Sequence, residues 1–516
     1  MRNIFLLLSA ILLATCTKLE VAPRSTESAE VFFAEEGSYR AYLARIYAGL
    51  AVTGQQGPSG DPDLQNNDEG FSSYLRQYWQ LQELTTNEAV IGWTDEGLSD
   101  LHAHTWTSNN QFVRTMYARL YFQVALANDF LRQTAPDKLD ARAVSPETRA
   151  LIPGFRAEAR YLRALSYYHG LDLFGRLPLY VEATPLGGEL TQSTRATVFN
   201  FVEAELQDLQ DYLPAPGSQD YGRVDRAAVW VLQTQLYLNA EVYTGSLRYQ
   251  DCLAAANRIF ASNAYVLSAD YHHLFRTDND TSPEIIYAIP FDGRKVQTWG
   301  GMTYLVHAPL GGRMNPADYG VSGAWAGLRT TSAMVLPFFN QGFTDRRAVF
   351  YTNGQSLEID RIADFQQGYA VPKFTNLSSA GVAGVDETFP DTDFPLFRLG
   401  AVYLDHAEAA LRAGDLAARP LALANLNTLR ARAGGQPLTD ADLTLEYLLA
   451  ERTRELHWEG ARRTDLVRYG QFTTGAVWPW KGGTKEGLET ADYRNVFPVP
   501  EAELLANPAL RQNAGY

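Results

Sequence analysis

Apolar residues recur at helical spacing over most of this chain. Phe112, Met116, Leu120, Val124 and Leu131 fall near one stripe of 111–131, which predicts an amphipathic helix. The same period predicts helices over 31–50, 146–174, 197–213, 226–243 and 249–260, and again over 397–413, 421–433 and 443–469. Breakers agree with these ends: Gly175 and Pro178 follow one helix, Pro214 and Pro216 another, Gly245 a third. Pro153-Gly154 predicts a break inside 146–174. Helix following helix, with small residues at the close contacts, is the pattern of tetratricopeptide-like hairpins stacked side by side. No copy carries the full repeat consensus, so an irregular helical bundle is the alternative.

The periodicity fails over 291–329, FDGRKVQTWGGMTYLVHAPLGGRMNPADYGVSGAWAGLR. This stretch is rich in glycine and carries Trp299, Tyr304, Tyr319 and Trp325. It is expected to form shaped loops rather than a core helix. Two readings of its rings stand open: they pin a long loop onto the helices, or they stand clear of the core and present a flat face. A flat exposed ring suits the apolar C–H face of a sugar. A second aromatic cluster precedes it: Tyr74, Tyr78, Trp79, Trp93 and Trp106. Residues 284–290, EIIYAIP, read as a short buried strand, and 330–393 as largely irregular chain. The Pro-rich tail carries Asn495, Gln512, Asn513 and Tyr516, which suit a hydrogen-bonded strap. In 443–469 the second half mixes Glu451, Arg454, Glu455, Glu459, Arg462, Arg463, Asp465 and Arg468 with apolar residues. That mixture predicts a partly buried helix whose arginine forks clamp neighbouring backbone.

Charge narrows the partners. With 44 basic and 59 acidic side chains the 516-residue chain carries a net charge of −15, which argues against a nucleic acid and says nothing against a neutral glycan. The two cysteines, Cys16 and Cys252, form no disulfide framework. Cys252 lies in an apolar helical pattern and reads as a buried small hydrophobe. Residues 1–16 read as an export signal: Arg2, a short apolar run, then Leu13-Ala14-Thr15-Cys16, similar to a bacterial lipobox. Cys16 is thus the expected lipidation site, with 17–30 as a tether.

Candidate chemistry is sparse. Asp61, Asp63, Asp68 and Glu69 form an acidic cluster, but the sixth position of the loop is Asn66 and the twelfth Ser72, so the EF-hand pattern is absent and turn formation accounts for the acids. His102 and His104 have metal-compatible spacing without a third ligand. No metal and no cofactor are expected, a structural calcium ion being left open with no ligand set defined. There is no G-x-S-x-G, H-E-x-x-H or P-loop, and the visible acid pairs lie in turns, so the chain is not expected to be an enzyme.

Four segments carry a family resemblance: AEARYLRALSYYHGLDLFGRLPL (157–179), DTDFPLFRLGAVYLDHAEAAL (391–411), ERTRELHWEGARRTDLVRYGQF (451–472) and FPVPEAELLANPALRQNAGY (497–516). With them the chain resembles the SusD/RagB family of outer-membrane glycan-binding lipoproteins. Within that family, 52–70, 83–93, 300–306 and 473–483 are most similar to the starch-binding member. The resemblance implies a mainly α fold, a tetratricopeptide-like helix-hairpin superhelix with a loop-rich glycan-binding insertion. Its expected regions are 31–264, helical; 265–396, loop-rich and glycan-binding; and 397–516, helical with a tail. It implies no catalysis, a lipid-anchored position on the cell outer membrane facing the exterior, a starch or maltooligosaccharide ligand, and a TonB-dependent transporter as partner. By motif position it puts three rings of a glycan-binding arc on Trp93, Tyr304 and Trp325, and a sugar-bonding arginine on Arg76. A further polar contact falls on Asp95 or Glu96, with Glu96 taken as the site residue. Another glycan, a fructan or β-glucan, and a scaffold without glycan affinity are the alternatives.

Overall fold

The computed structural model describes residues 29–65, 67–185, 187–188, 190–339 and 344–516. The signal segment, Cys16 and most of the tether lie outside the described residues. The principal helices are α1 (Ser38–Ala48), α2 (Tyr74–Trp79), α3 (Gln111–Gln133), α4 (Pro146–Leu173), α5 (Arg195–Asp208), α6 (Arg226–Leu238), α7 (Tyr249–Ser262), α8 (Gly301–His307), α9 (Leu399–Arg412), α10 (Arg419–Ala433), α11 (Leu445–Leu456) and α12 (Arg462–Arg468). Side-chain caps start many of them. Asn110 accepts from the Phe112 and Val113 amides, Ser145 from Thr148, and Asp225 from Ala227 and Ala228. Neighbours in sequence then pack as pairs: α3 on α4, α4 on α5, α6 on α7, and α9 on α10 and α11, with α7 joining α9 across the loop-rich insertion. The strand Ile285–Ile289 pairs antiparallel with Phe394–Arg398, tying the start of that insertion to the chain that leaves it. Among the described residues no helix is long and apolar enough to cross a membrane.

Three expectations are corrected. Helix α4 runs unbroken through Pro153, because its second half, from Phe155 to Leu173, is almost wholly buried and fixes its axis. Packing there outweighs the one lost backbone donor. The 443–469 segment is two helices, not one. The chain turns between α11 and α12 with Trp458 at φ 62° and Gly460 at φ 76°. The turn is held from outside: the Glu83 carboxylate accepts from the Gly460 and Ala461 amides at 2.7 and 3.1 Å, and the Trp79 indole donates to the Trp458 carbonyl at 2.8 Å. Finally, the glycine-rich stretch contains α8, all seven residues of which are buried. Its glycines obscured a helix too short to show a period.

The charged half of 443–469 is more deeply buried than expected; its arginines pair mostly with carboxylates rather than backbone, and its acids with cations from elsewhere in the chain. Arg398 donates to Glu459 at 2.6 and 2.8 Å, to Glu284 at 2.9 Å and to Glu455 at 2.7 Å. Arg347 bonds Asp345, Glu451 and Glu455, Arg432 reaches Glu284 and Glu455, and Lys373 bonds Glu459. The network joins α11 to the 394–398 strand, α10 and the loop chain at 345–373. Cys252 is buried, as its pattern predicts. The tail is a strap: Gln512 exchanges two 2.8 Å bonds with Val499, and Asn513 donates to the Phe174 and Phe497 carbonyls.

Candidate functional site

A two-residue ladder builds the site. Val90 and Ile91 pair antiparallel with Arg329 and Leu328, and the Gly92 amide continues the register to the Gly327 carbonyl at 3.0 Å. Trp93 and Trp325, 232 positions apart, therefore emerge side by side. Their ring centroids lie 6.2 Å apart at 48°, and the Trp93 indole N–H donates to the Trp325 carbonyl at 3.1 Å. Both are half-buried, packed on the core along one edge. Gly327 is required here: a Cβ on it would stand 2.5 Å from the Trp93 ring.

Helix α8 supports the pair from below. His307, at its end, stacks on Trp325 at 4.8 Å and 20°, while its ring nitrogens face the Gly323 and Thr388 carbonyls at 2.8 and 2.9 Å. Burial lowers the imidazole pKa, with the two carbonyls acting in the opposite direction. Tyr304, on the same helix, meets Trp93 edge-on at 5.9 Å. Tyr304 is 0 % exposed, so its ring has no open face. The sequence-based expectation of a presented Tyr304 is corrected on this point: it is a floor beneath the tryptophans, wedged between Trp93 and Trp79. Its hydroxyl makes no hydrogen bond within the described residues. Arg76 is buried beside it, the guanidinium 4.3 Å from the Tyr304 ring centroid and 5.8 Å from that of Trp93. It donates to the Gly70 carbonyl, and burial pulls its pKa down. Ser73 locks α2 to α8, accepting from the Gly301 amide at 3.0 Å.

The structure adds a ring. Trp299 is 38 % exposed, its centroid 6.3 Å from Trp325 at 42° and 5.1 Å from Phe389. Glu69 holds this loop, accepting from the Thr298 hydroxyl at 2.8 Å and the Trp299 amide at 3.3 Å. Trp93, Trp325 and Trp299 thus form a row of indoles with successive tilts. Trp299 is visible in the glycine-rich stretch, but no motif position puts it in the arc; Phe389, alone in a turn-rich segment, carries no signal.

The remaining candidates fall elsewhere. Glu96 is exposed and its backbone carbonyl accepts from Gln111 at 2.6 Å, while its carboxylate makes no hydrogen bond or ion pair among the described residues. The charge of its neighbour Asp95 reaches both Arg76 and Tyr304, and Asp68 and Glu69 act on Arg76 as well. His102 and His104 are buried, their pKa values lowered by burial to about 4 and about 3, and His104 bonds the Thr85 carbonyl. Asp63 pairs with Arg45 and Glu69 is committed to the Trp299 loop. Among the described residues no cluster of three or more metal-ligating side chains occurs.

The SusD family model matches residues 344–516. The starch-binding protein SusD of Bacteroides thetaiotaomicron is 33 % identical over 91 % of each chain. This chain belongs to the SusD family. SusD-like protein P2 of Formosa agariphila is 22 % identical over 98 % of this chain and 97 % of its own. Among solved structures, a SusD superfamily protein from Bacteroides thetaiotaomicron superposes with a TM-score of 0.72 at 19 % identity, over 93 % of this chain and 99 % of its own. Surface glycan-binding protein A from the same organism, in complex with laminarihexaose, gives 0.71 at 18 %, over 92 % and 98 %. The mainly helical SusD architecture is therefore shared over 93 % of this chain, the match of fold extending well beyond the C-terminal segment covered by the family model.

Proposed function

We propose that this SusD family member captures α-1,4-glucan, starch and maltooligosaccharides, without catalysis. It does so at the outer surface of the cell, held by a lipid on Cys16, and passes its ligand to a TonB-dependent outer-membrane transporter. The observation that carries the ligand reading is the row Trp93–Trp325–Trp299, with centroid steps of 6.2 and 6.3 Å and tilts of 48° and 42°. Stacking rings that turn from one to the next favour a chain whose sugars also turn, over a straight ribbon. The 33 % identical relative named as starch-binding supports the same ligand. A fold neighbour bound to laminarihexaose motivates the second reading, a β-glucan.

Native affinity gels containing amylopectin, laminarin or levan decide between them. Retardation by amylopectin, relieved by soluble cyclodextrin, is expected, with no reducing sugar released. Retardation by laminarin alone transfers the assignment to β-glucan. Retardation by none, with a membrane transporter still co-purifying, leaves a scaffold.

Gly327→Ala tests the geometry of the row. The added methyl must push the Trp93 ring off its seat. Amylopectin affinity is expected to fall about tenfold, the equivalent of roughly 1.4 kcal/mol, because one stacking face is lost from the row. Unchanged affinity would show that the Trp93 seat does not matter.

A further inference from the structure

A half-open cavity of about 640 Å³ shares no lining residue with the tryptophan row. One wall is α1 and the glycine-rich turn after it; the other is 221–223 and the 290–297 loop. The walls are largely aliphatic: Leu43, Ala44, Ala48, Val52 and Val296. Five lining residues are basic and none is acidic, in a chain where acids outnumber bases 59 to 44. Two of the five are already paired, Arg45 with Asp63 and Arg223 with Glu158 and Asp220. The other three, Arg40, Arg294 and Lys295, are exposed, and their side chains form no ion pair among the described residues; the Asp292 carboxylate takes the backbone amides of Arg294 and Lys295 at 2.8 and 3.0 Å. A volume of this size is that of a small-molecule site.

Hydrogen-bonding capacity decides the kind of ligand. The Tyr47 hydroxyl donates to Glu158 at 2.5 Å and accepts from the Val224 amide at 3.1 Å. Gln297 donates to the Gly293 carbonyl at 2.7 Å. Gln55 and the Oε1 of Gln297 are the neutral side-chain amide groups left on the lining. The unpartnered groups left on the lining are mainly donors, Arg40, Arg294, Lys295 and the buried Nε and Nη1 of Arg45, so the N–H groups of a peptide or the hydroxyl protons of a sugar would be buried here short of acceptors, at a cost in free energy. A hydrocarbon body would not, and a single anionic group would meet the unpaired cations at the rim.

We propose that this cavity binds a lipid with a phosphate head group, its acyl or alkyl chain along α1 and its phosphate at Arg40, Arg294 and Lys295. Calorimetry on the mature chain, below micellar concentrations, tests this with decyl phosphate. The expected result is one site, at least tenfold weaker for hexyl phosphate and for the neutral-headed decyldimethylamine oxide, with no heat from inorganic phosphate. The double variant Arg294→Glu/Lys295→Glu, on an exposed loop, is expected to weaken decyl phosphate at least tenfold. Ala44→Trp, which fills the cavity from its rim, is expected to abolish binding. Equal binding of decyl phosphate and the amine oxide, or an unaltered double variant, would overturn the proposal. So would tighter binding of an acidic leucine-containing peptide than of decyl phosphate, which would assign the cavity to a protein segment.

Discussion

Alanine at both Trp93 and Trp325 is expected to remove amylopectin retention while leaving the fold intact. If each indole and its sugar remove roughly 60 Å² of apolar area from water, at about 25 cal/mol per Å² each ring contributes about 1.5 kcal/mol. Two rings then account for about 3 kcal/mol, or roughly a 150-fold loss of affinity. Ligand ordering subtracts from the total, so wild-type binding is expected only in the micromolar to millimolar range, on the order of −4 to −8 kcal/mol. A loss of that size therefore drops the variant below detection in a gel. Trp299→Ala alone, at one end of the row, is expected to cost about tenfold, close to the contribution of one ring. Because Trp93 and Trp325 are half-buried, thermal unfolding must be measured alongside. A variant that melts as wild type and still binds amylopectin would end the aromatic-row reading.

The helical framework was legible because its signals are long. The stripe through α3 and the caps at Asn110, Ser145 and Asp225 are each written within a few residues. What could not be read is written across the chain. The break between α11 and α12 depends on Glu83, more than 370 positions away, whose carboxylate takes the turn's amides. Trp458 in a left-handed conformation has no local warning of the kind a glycine gives. The site divides the same way. Trp93 and Trp325 were reachable from motif position, and the ladder at 90–91 and 328–329 is what makes them neighbours. Whether a ring faces water is a property of what covers it. Tyr304 and Trp299 lie five residues apart in one glycine-rich stretch, yet Tyr304 is enclosed by Arg76, Trp79 and Trp93 while Trp299 lies on the rim beside Phe389.

Arg398→Met is expected to cost about 3–5 kcal/mol of stability, the largest single effect outside the site, because it leaves buried carboxylates short of a cation. Arg398 is 1 % exposed and serves Glu284, Glu455 and Glu459 together. Arg347, Arg432 and Lys373 remain, but each is already committed to the same acids or their neighbours. Methionine matches much of the length of the side chain and none of its charge, so lost packing contributes little to the change. Acid titration separates the electrostatic part. Burial opposes the charge on Glu451, and Arg347 and Arg454 overcome it, leaving its pKa at about 2; the Glu455 carboxyl is likewise held well below its ordinary value, burial being outweighed by Arg432, Arg398 and Arg347. Carboxyls with depressed folded pKa values stabilise the protein fully above their unfolded values near 4.3, and that contribution is lost as pH falls toward 2. Removing Arg398 raises the folded pKa of Glu455, so the acid-unfolding midpoint, followed by circular dichroism, should move to higher pH while the urea midpoint at pH 7 falls. A loss below about 1 kcal/mol with an unmoved acid midpoint would mean that the remaining cations redistribute over the acids and that no single arginine holds the joint between α11 and the loop-rich insertion.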